Sequence, residues 1–255
     1  MTLLGAAEIR ELAAKLDLNP SKGLGQNFVI DGNTCQKIVR QVSIGKDDVA
    51  LEIGPGLGSL TLAILETGAP LIAVEIDNRL ASQLPVTISE HNPDADLTVI
   101  NKDALEVTEL PKNPTVLVAN LPYNVSVPVL LNLLERFPTL REGVVMVQEE
   151  VAQKIVSTGG RTYGATSLFL QRHFTWELME KIEPKAFEPA PKVFSRLLYF
   201  KPKMQLSEIP DEENFWKFLK SCFKTPRQML RNNLRTTHYP WEKLPEATLK
   251  LRAQQ

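Results

Sequence analysis

Short runs of β-branched and other apolar residues alternate with helical patterns over much of this 255-residue chain. Between about residues 47 and 200, five such runs each precede a polar or amphipathic stretch: DVALEI, PLIAVEI, LTVIN, TVLVAN and GVVMVQ. Alternation of this kind is typical of βαβ units. It predicts an α/β protein built on a parallel sheet.

Two later apolar runs break the alternation. TWELMEKIEP and FSRLLYFKP are separated by a proline-rich loop that is too short for a helical crossover. We therefore expect them to form an antiparallel hairpin that closes one edge of the sheet. Together with the five earlier runs they give a mostly parallel sheet of seven strands.

The composition changes after Phe200, where KPKMQLSEIPDEE is polar and contains two prolines. Such a segment is typical of a linker, and the length of the chain favours one large domain with a small appendage. We predict domains at 1–202, which begins with an amphipathic helix, and at 203–255, which is small and helical. Within the second domain, Thr225 and Gln228 flank Pro226 in a capping-box pattern that predicts a helix beginning at Pro226.

The N-terminus has no basic leader followed by an apolar core, so the sequence predicts a cytoplasmic protein without a membrane span. Cys35 and Cys222 lie far apart without a metal-ligand spacing, which fits reduced, buried thiols. The net charge of -1 argues neither for nor against a polyanionic partner.

A glycine-rich turn follows the first predicted strand of the sheet. Gly54 and Gly56 lie in GPGLG, and Glu75 ends the next strand 21 residues after Gly54. Glycines allow a ligand to approach the backbone closely, and a carboxylate at this position can bind both ribose hydroxyls. The spacing differs from the G-x-G-x-x-G of dinucleotide sites, which favours a nucleoside without phosphate, such as S-adenosylmethionine. The alternative is a plain strand-to-helix turn.

Asp103 follows the strand LTVIN at the carboxyl edge of the sheet, where open α/β sheets bind ligands. Its carboxylate could accept a hydrogen bond from the exocyclic amine of an adenine. The alternative for Asp103 is an ordinary cap of a helix or turn.

The tetrapeptide Asn120-Leu121-Pro122-Tyr123 ends the next strand at the same edge. An exocyclic aromatic amine is a poor nucleophile, and oxygens of Asn120 and Leu121 can accept its two hydrogens and orient its lone pair. Pro122 stiffens the loop, and Tyr123 offers a face on which a base can stack. The pattern predicts methyl transfer by in-line displacement, driven by positioning and without a metal. The alternative is a β-turn in which Tyr123 only packs.

In this order and spacing, the residues resemble the ribosomal RNA adenine N6-dimethyltransferase family, and most closely its bacterial 16S members. The resemblance extends through nearly the whole chain. It is carried by Leu24 to Phe28, Glu52 to Gly58, Val74 to Asp77, Asp103-Ala104, Asn120 to Asn124, Gln148 to Ala152, Tyr163-Gly164, Phe187 to Ser195 and Leu230 to Leu234.

The resemblance implies a Rossmann-like class I methyltransferase fold with S-adenosylmethionine as cofactor. It also implies that Phe187 provides a second aromatic surface opposite Tyr123, so that the two rings sandwich the target adenine. The alternative for Phe187 is a core residue. The cofactor site implied by the resemblance consists of Asn27, the backbone of Val29, Gly54, Gly56, Glu75, Asp103 and Asn120.

The chain departs from the family pattern in four respects. Val29 stands where leucine is usual, and Phe194 replaces a commonly acidic residue. Thr225-Pro226 interrupts a C-terminal basic run that is usually denser, and the C-terminal helical region is shorter than is usual in the family. We expect the C-terminal departures to affect rRNA affinity more than catalysis.

Basic residues recur at intervals of three or four in the C-terminal region, and no acidic residue lies between Asn214 and Tyr239. On one helix they would form a basic stripe that neutralises RNA phosphates. The alternative is a solvated helix face. The predicted RNA-binding residues are Lys217, Lys220, Lys224, Arg227, Arg231 and Arg235.

The resemblance implies dimethylation of N6 of two adjacent adenines in the 3′-terminal hairpin loop of 16S rRNA. The expected substrate is an immature 30S subunit, and we expect the enzyme to be a monomer. One alternative is a 23S rRNA adenine dimethyltransferase, although the L-R-N-N-L segment favours the 16S function. Others are a non-catalytic assembly or transcription factor and, least favoured because of the glycine spacing, an NAD-dependent oxidoreductase.

Overall fold

A computed structural model of the chain describes residues 3–18, 27–204, 209–225, 228–235 and 237. The chain forms two compact units, described separately below. The first comprises Met1–Ala152 and Glu177–Pro202, and the second comprises Gln153–Trp176 and Lys203–Gln255. The second unit thus includes a segment that the sequence analysis assigned to the larger domain.

Helices and strands alternate over much of the first unit, between residues 50 and 101 and between residues 116 and 148. The helices are α1 (Ala6–Lys15), α2 (Gly32–Val39), α3 (Ser59–Leu65), α4 (Asn78–His91), α5 (Ser126–Arg136), α6 (Glu149–Val156), α7 (Ala165–His173), α8 (Glu212–Cys222) and α9 (Leu230–Leu234). The strands are β1 (Phe28–Val29), β2 (Ala50–Ile53), β3 (Leu71–Glu75), β4 (Leu97–Asn101), β5 (Val116–Asn120), β6 (Glu142–Gln148), β7 (Phe174–Ile182), β8 (Phe187–Glu188) and β9 (Ser195–Pro202).

The main sheet has seven strands in the order β4-β3-β2-β5-β6-β9-β7. The five strands β4, β3, β2, β5 and β6 are parallel to one another. β9 pairs with the other side of β6 and runs antiparallel to it. This confirms the five predicted parallel strands. It also confirms that the two later apolar runs, now β7 and β9, lie at one edge of the sheet. The α/β Rossmann-like fold is confirmed as well.

Burial explains why these strands read as continuous apolar runs. Every residue of β2 and β3 is buried, as expected for parallel strands covered on both faces. All seven residues of α3 are buried as well. At the N-terminus, Ile9 of the predicted amphipathic helix is fully buried, and Leu12, Ala13 and Leu16 pack against the same core.

A two-stranded antiparallel ribbon joins β1 to β8. Phe28 pairs with Glu188 and Val29 with Phe187, and the N–H of Ile30 donates to the carbonyl oxygen of Ala186 at 2.9 Å. The ribbon places the segment around Asn27 beside a segment far along the chain.

The second unit is held together by aromatic and polar contacts among its helices. The ring centroids of Phe169 on α7 and Trp216 on α8 lie 4.7 Å apart. Asn233 on α9 is buried, and its side-chain nitrogen donates to the carbonyl oxygens of Cys222 at 2.8 Å and Thr225 at 3.0 Å. One asparagine of the L-R-N-N-L segment therefore fixes α9 to the end of α8.

The helix predicted to begin at Pro226 begins instead at Leu230. Pro226 itself lies outside the described residues, but Gln228 and Met229 are not helical. The carbonyl oxygen of Thr225 accepts hydrogen bonds from the N–H of Gln228 and from the side chain of Asn233, which fixes the position of Thr225 relative to α9.

Among the helices that the structure describes, none is both long and apolar enough to cross a bilayer.

Candidate active site

A cavity opens at the carboxyl edge of β2 to β5, and its lining residues all belong to the first unit. Its empty volume, including solvent at the mouth, is about 1090 Å³, which suits a nucleoside-sized ligand. The predicted site residues that line it are Asn27, Val29, Gly54, Gly56, Glu75, Asp103, Asn120, Leu121, Pro122 and Tyr123.

The glycine turn needs glycine for two reasons. Gly54 and Gly56 have φ values of +67° and +58°, in the left-handed region that other residues avoid. A Cβ added at Gly56 would also lie 2.9 Å from the ring of Phe28. Because these positions carry no side chain, the backbone of the turn itself lines the cavity.

Glu75 connects this turn to the end of β3. One carboxylate oxygen accepts from the N–H of Gly56 at 3.2 Å, and the other accepts from the N–H of Asp77 at 3.0 Å. Burial raises the pKa of Glu75, whereas the two N–H donors oppose that shift. A carboxylate has about four acceptor positions, so Glu75 retains capacity for the hydroxyls of a ligand.

Asp103 combines both interpretations that the sequence allowed. One of its carboxylate oxygens accepts from the N–H of Leu105 at 2.9 Å, as a turn cap does. Its other oxygen accepts no hydrogen bond from the described residues, and Asp103 lines the cavity. The cap orients the side chain and leaves an acceptor for a ligand.

The Asn-Leu-Pro-Tyr loop is fixed by several contacts. The side-chain nitrogen of Asn120 donates to the carbonyl oxygen of Asn27 at 3.1 Å, and the N–H of Leu121 donates to the carbonyl oxygen of Met146 at 3.1 Å. The carbonyl oxygen of Pro122 accepts from the N–H of Val125, which closes a turn. With its nitrogen engaged, Asn120 has a side-chain oxygen that receives no hydrogen bond from the described residues.

Tyr123 is anchored through its hydroxyl. The hydroxyl oxygen lies 2.5 Å from that of Ser195, which is fully buried. Burial raises the pKa of Tyr123, so the phenol remains protonated at neutral pH. The ring is half-buried and lines the cavity.

Phe187 does not lie opposite Tyr123 at the cavity, where the resemblance implied a stacking surface. Its side chain is only 2% exposed, belongs to the hydrophobic core and is not among the residues that line the cavity. The reason is local, because pairing of β8 with β1 sets Phe187 opposite Val29 and directs it into the core. The structure thus does not bring Phe187 and Tyr123 together at the cavity, and the stacking role of Phe187 stays a prediction from the resemblance.

Three further residues among those that line the cavity were given no role in the sequence analysis. Glu52 is 1% exposed and accepts from the hydroxyl of Thr61 at 2.7 Å, and burial raises its pKa to about 8. Ile76 exposes 49% of its apolar side chain at the cavity. Ser59 is buried, and its hydroxyl has no hydrogen-bond partner among the described residues. A charged residue inside an apolar strand could have indicated Glu52, whereas nothing in the sequence indicates Ser59.

The cavity fits S-adenosylmethionine. It offers buried carboxylate acceptors for hydroxyl and amine groups, a backbone turn that permits close approach, and apolar surface for a base. The hydroxyl of Ser59 supplies one further polar group that no protein atom satisfies among the described residues. Buried polar groups are nearly always paired, so such a hydroxyl is consistent with a polar ligand.

The predicted basic residues do not lie on one helix. Lys217 and Lys220 are on α8, whereas Arg231 is on α9 and Arg235 caps its end. Lys224 lies in the segment between these helices, and Arg227 falls outside the described residues. The condition for a single helical stripe is therefore not met, because α8 ends at Cys222 and α9 begins at Leu230.

One predicted phosphate ligand also has a counter-charge. The ammonium of Lys217 lies 2.5 Å from the carboxylate of Glu213, one helical turn earlier on α8. The absence of acidic residues between Asn214 and Tyr239 therefore does not leave Lys217 unpaired. The RNA-binding role of the basic residues stays a prediction.

Comparisons with known proteins identify similar chains. The family described as "Ribosomal RNA adenine dimethylase" matches residues 18–249. A protein named "Ribosomal RNA small subunit methyltransferase A" from Leifsonia xyli is 49% identical over 240 residues, which cover 92% of this chain and 85% of that protein. One of the same name from Corynebacterium diphtheriae is 47% identical over 238 residues, covering 90% and 81%.

Two solved structures extend the comparison to the fold. A dimethyladenosine transferase from Plasmodium falciparum has a TM-score of 0.72 at 23% identity, covering 88% of this chain and 90% of that one. The 23S rRNA methyltransferase ErmE has a TM-score of 0.68 at 26% identity, covering 89% and 96%.

Proposed function

The chain belongs to the ribosomal RNA adenine dimethylase family, and from this premise we propose which adenines it modifies and how its site does so. It is an S-adenosylmethionine-dependent rRNA adenine dimethyltransferase. Its substrate is the pair of adjacent adenines in the 3′-terminal hairpin loop of 16S rRNA. Each becomes N6,N6-dimethyladenosine during assembly of the 30S subunit.

The choice of the small subunit is supported by the relatives. Proteins named for methylation of small-subunit RNA are 49% and 47% identical to this chain. The 23S rRNA methyltransferase of similar fold is 26% identical. The sequence Asn120-Leu121-Pro122-Tyr123 further supports a 16S rather than a 23S substrate, because the resemblance associates N-I-P-Y with the 23S enzymes.

One observation carries the proposed mechanism: the side chain of Asn120 is fixed by Asn27 so that its oxygen remains available. That oxygen accepts one hydrogen of the adenine N6 amine, and the carbonyl oxygen of Leu121 accepts the other. Two acceptors placed in this way favour a tetrahedral nitrogen whose lone pair points away from the ring. Positioning of a poor nucleophile by a fixed loop is the main source of rate enhancement in this mechanism.

When bound, S-adenosylmethionine supplies the electrophilic methyl group. Glu75 would accept hydrogen bonds from its ribose hydroxyls, and Asp103 would accept one from its adenine amine. Asn27 and the backbone at Val29, Gly54 and Gly56 complete this side of the cavity.

The ring of Tyr123 receives one face of the target adenine, since it lines the cavity and its hydroxyl is held by Ser195. An adenine must leave its stack to reach this ring, which favours an unpaired loop over a duplex. We assign the enzyme to the cytoplasm, where small subunits are assembled in bacteria, and to a monomeric state.

The decisive test uses labelled S-adenosylmethionine and 30S particles from cells that lack the modification. Isolated 50S particles and free 16S rRNA are the controls, and the methylated nucleoside is identified after digestion. We expect N6,N6-dimethyladenosine in the 3′-terminal hairpin of 30S particles. Label only in 50S RNA would reassign the substrate, and no transfer despite cofactor binding would contradict the proposed function.

A further inference from the structure

Phe194 is exposed, unlike the other phenylalanines of the chain. All ten lie in described parts of the structure, and nine are buried or half-buried, whereas Phe194 exposes 43% of its surface. Its neighbour Val193 is exposed to the same extent. Burial of exposed apolar surface is favourable, so the exposed part of this ring can contribute to the binding of a partner.

The register of the sheet locates Phe194 at the edge that carries the active site. Asn120 on β5 pairs with Met146 on β6, and Gln148 at the end of β6 pairs with Ser195 at the start of β9. Phe194 therefore lies just beyond the carboxyl end of β6. Because Ser195 touches the hydroxyl of Tyr123, the Cα of Phe194 lies within about 9 Å of that hydroxyl.

The backbone of Phe194 is held in place at this edge. Its carbonyl oxygen accepts a hydrogen bond from the N–H of Glu149 at 3.0 Å, which continues the pairing of β6 with β9. The ring thus projects from a fixed point beside the catalytic loop. A fixed aromatic residue loses little conformational freedom when a ligand stacks on it.

A lysine accompanies the ring. The ammonium of Lys181 on β7 lies 3.9 Å from the centroid of Phe194, which is a cation–π contact. Lys181 is exposed, and no carboxylate of the described residues forms an ion pair with it. The ammonium covers one face of the ring, so a base would stack on the opposite face. An aromatic surface with an adjoining positive charge matches the two parts of a single-stranded nucleotide, its base and its phosphate.

We propose that Phe194 and Lys181 form a subsite for a nucleotide adjacent to the target adenine in the RNA strand. The base stacks on Phe194, and Lys181 contacts a neighbouring phosphate. This inference rests on the proposed function, because Tyr123 must receive the target adenine for an adjacent nucleotide to lie here. A protein partner would also cover an exposed phenylalanine, but the ammonium above the ring and the proximity of Tyr123 favour RNA.

The first test compares Phe194→Ala with Val193→Ala, a matched control at the adjacent and equally exposed position. Binding to 30S particles lacking the modification should weaken about 5- to 150-fold for Phe194→Ala, since loss of one stacked base costs about 1–3 kcal/mol. Phe194→Trp should retain binding, and Val193→Ala should leave it unchanged. Affinity for S-adenosylmethionine should not change in any variant, which verifies that the fold is intact.

Two further variants identify the occupant. Lys181→Gln should weaken binding and reduce the salt slope by about 0.7, the value for one phosphate contact with a single strand. Replacement of Phe194 by the photoreactive p-benzoylphenylalanine should cross-link to a nucleotide next to the target adenines. A cross-link to a ribosomal protein, or unchanged affinity of Phe194→Ala, would overturn the subsite. Absence of dimethyladenosine with the wild type would instead overturn the proposed function, so the two failures are distinguishable.

Discussion

The side-chain nitrogen of Asn120 donates a hydrogen bond to the carbonyl oxygen of Asn27, which precedes it by 93 positions in the chain. This hydrogen bond decides which end of the Asn120 amide faces the cavity. With the nitrogen bound to a carbonyl, the oxygen is the end that can accept a hydrogen from a substrate amine. The orientation of one catalytic side chain thus depends on the N-terminal segment.

Asn120→Ala should lower the methylation rate at least about 100-fold, because the alanine lacks the acceptor that orients the substrate amine. Unfolding free energy should fall by only about 1 kcal/mol, the typical value of one hydrogen bond. Single-turnover methylation and urea denaturation measure the two effects. Asn113→Ala, at an exposed position before β5, is the control, and a rate near wild type for Asn120→Ala would remove Asn120 from the mechanism.

Tyr123→Phe and Ser195→Ala should each slow methylation about threefold to tenfold, because either change frees the Tyr123 ring from its anchor at Ser195. The double variant should be no slower than the slower single variant, since both remove the same hydrogen bond. Tyr123→Ala should be far slower, because it also removes the stacking face. Additive losses in the double variant would show that the two hydroxyls act independently.

Gly56→Ala should weaken binding of S-adenosylmethionine at least tenfold and lower the unfolding free energy by about 2 kcal/mol. The added methyl group would meet the ring of Phe28 at 2.9 Å, and the φ of +58° is unfavourable for alanine. Gly45→Ala is the matched control, because a Cβ there has no atom within 4 Å. Calorimetric titration and thermal unfolding of both variants provide the measurement, and equal behaviour of the two would contradict the role of the turn.

Glu52 should make the free enzyme less stable as the pH rises. Burial raises its pKa to about 8 from the unfolded value of 4.5, and the charge of Glu75 adds to the shift while the hydroxyl of Thr61 opposes it. The native state therefore retains a proton that the unfolded state loses. The stability contributed by protonated Glu52 is complete below pH 4.5 and is lost as the pH rises through about 8.

Glu52→Gln keeps an acceptor for Thr61 and cannot ionise, so its melting temperature should decline less than that of the wild type between pH 5 and pH 8.5. Glu11→Gln, at an exposed position of α1, should follow the wild-type decline. Parallel thermal unfolding curves for the wild type and Glu52→Gln would show that Glu52 does not titrate in this range.

Replacing Lys217, Lys220 and Lys224 by Glu should weaken binding to 30S particles and flatten its salt dependence by about 0.7 for each phosphate that is no longer neutralised. The effect at Lys217 should be smaller, because this side chain is already paired with Glu213. The control reverses Lys15, Lys46 and Lys112 on the first unit, of which Lys112 is likewise paired, with Asp96. Equal salt slopes for the two triple variants would make the C-terminal lysines an ordinary solvated surface.

The sheet could be predicted because its strands carry their own signal. Completely buried parallel strands must be apolar along nearly their whole length, and β2 and β3 are buried throughout. The glycine turn was predictable for a similar reason, since few residues other than glycine accept the φ values found at Gly54 and Gly56.

Other features arise from contacts between distant parts of the chain, which leave no local pattern. The partnership of Tyr123 with Ser195 joins residues 72 positions apart. The burial of Phe187 depends on a strand of only two residues at Phe28 and Val29. The basic residues after Asn214 have a helical spacing, but they do not share one helix. The carbonyl oxygen of Thr225 is held by Asn233, and a turn there lies between α8 and α9.

The ribbon of β1 and β8 has a consequence for the order in which the protein acquires its shape during translation. Phe28 and Val29 are made early, but their partners Glu188 and Phe187 emerge about 160 residues later. Ser195, which anchors Tyr123, follows later still. A nascent chain can form β2 to β5 well before this point, but it cannot complete the pairings that frame the cavity. Methylating competence therefore requires synthesis to pass Ser195, and an incomplete chain that stops before residue 187 has a sheet without a finished active site.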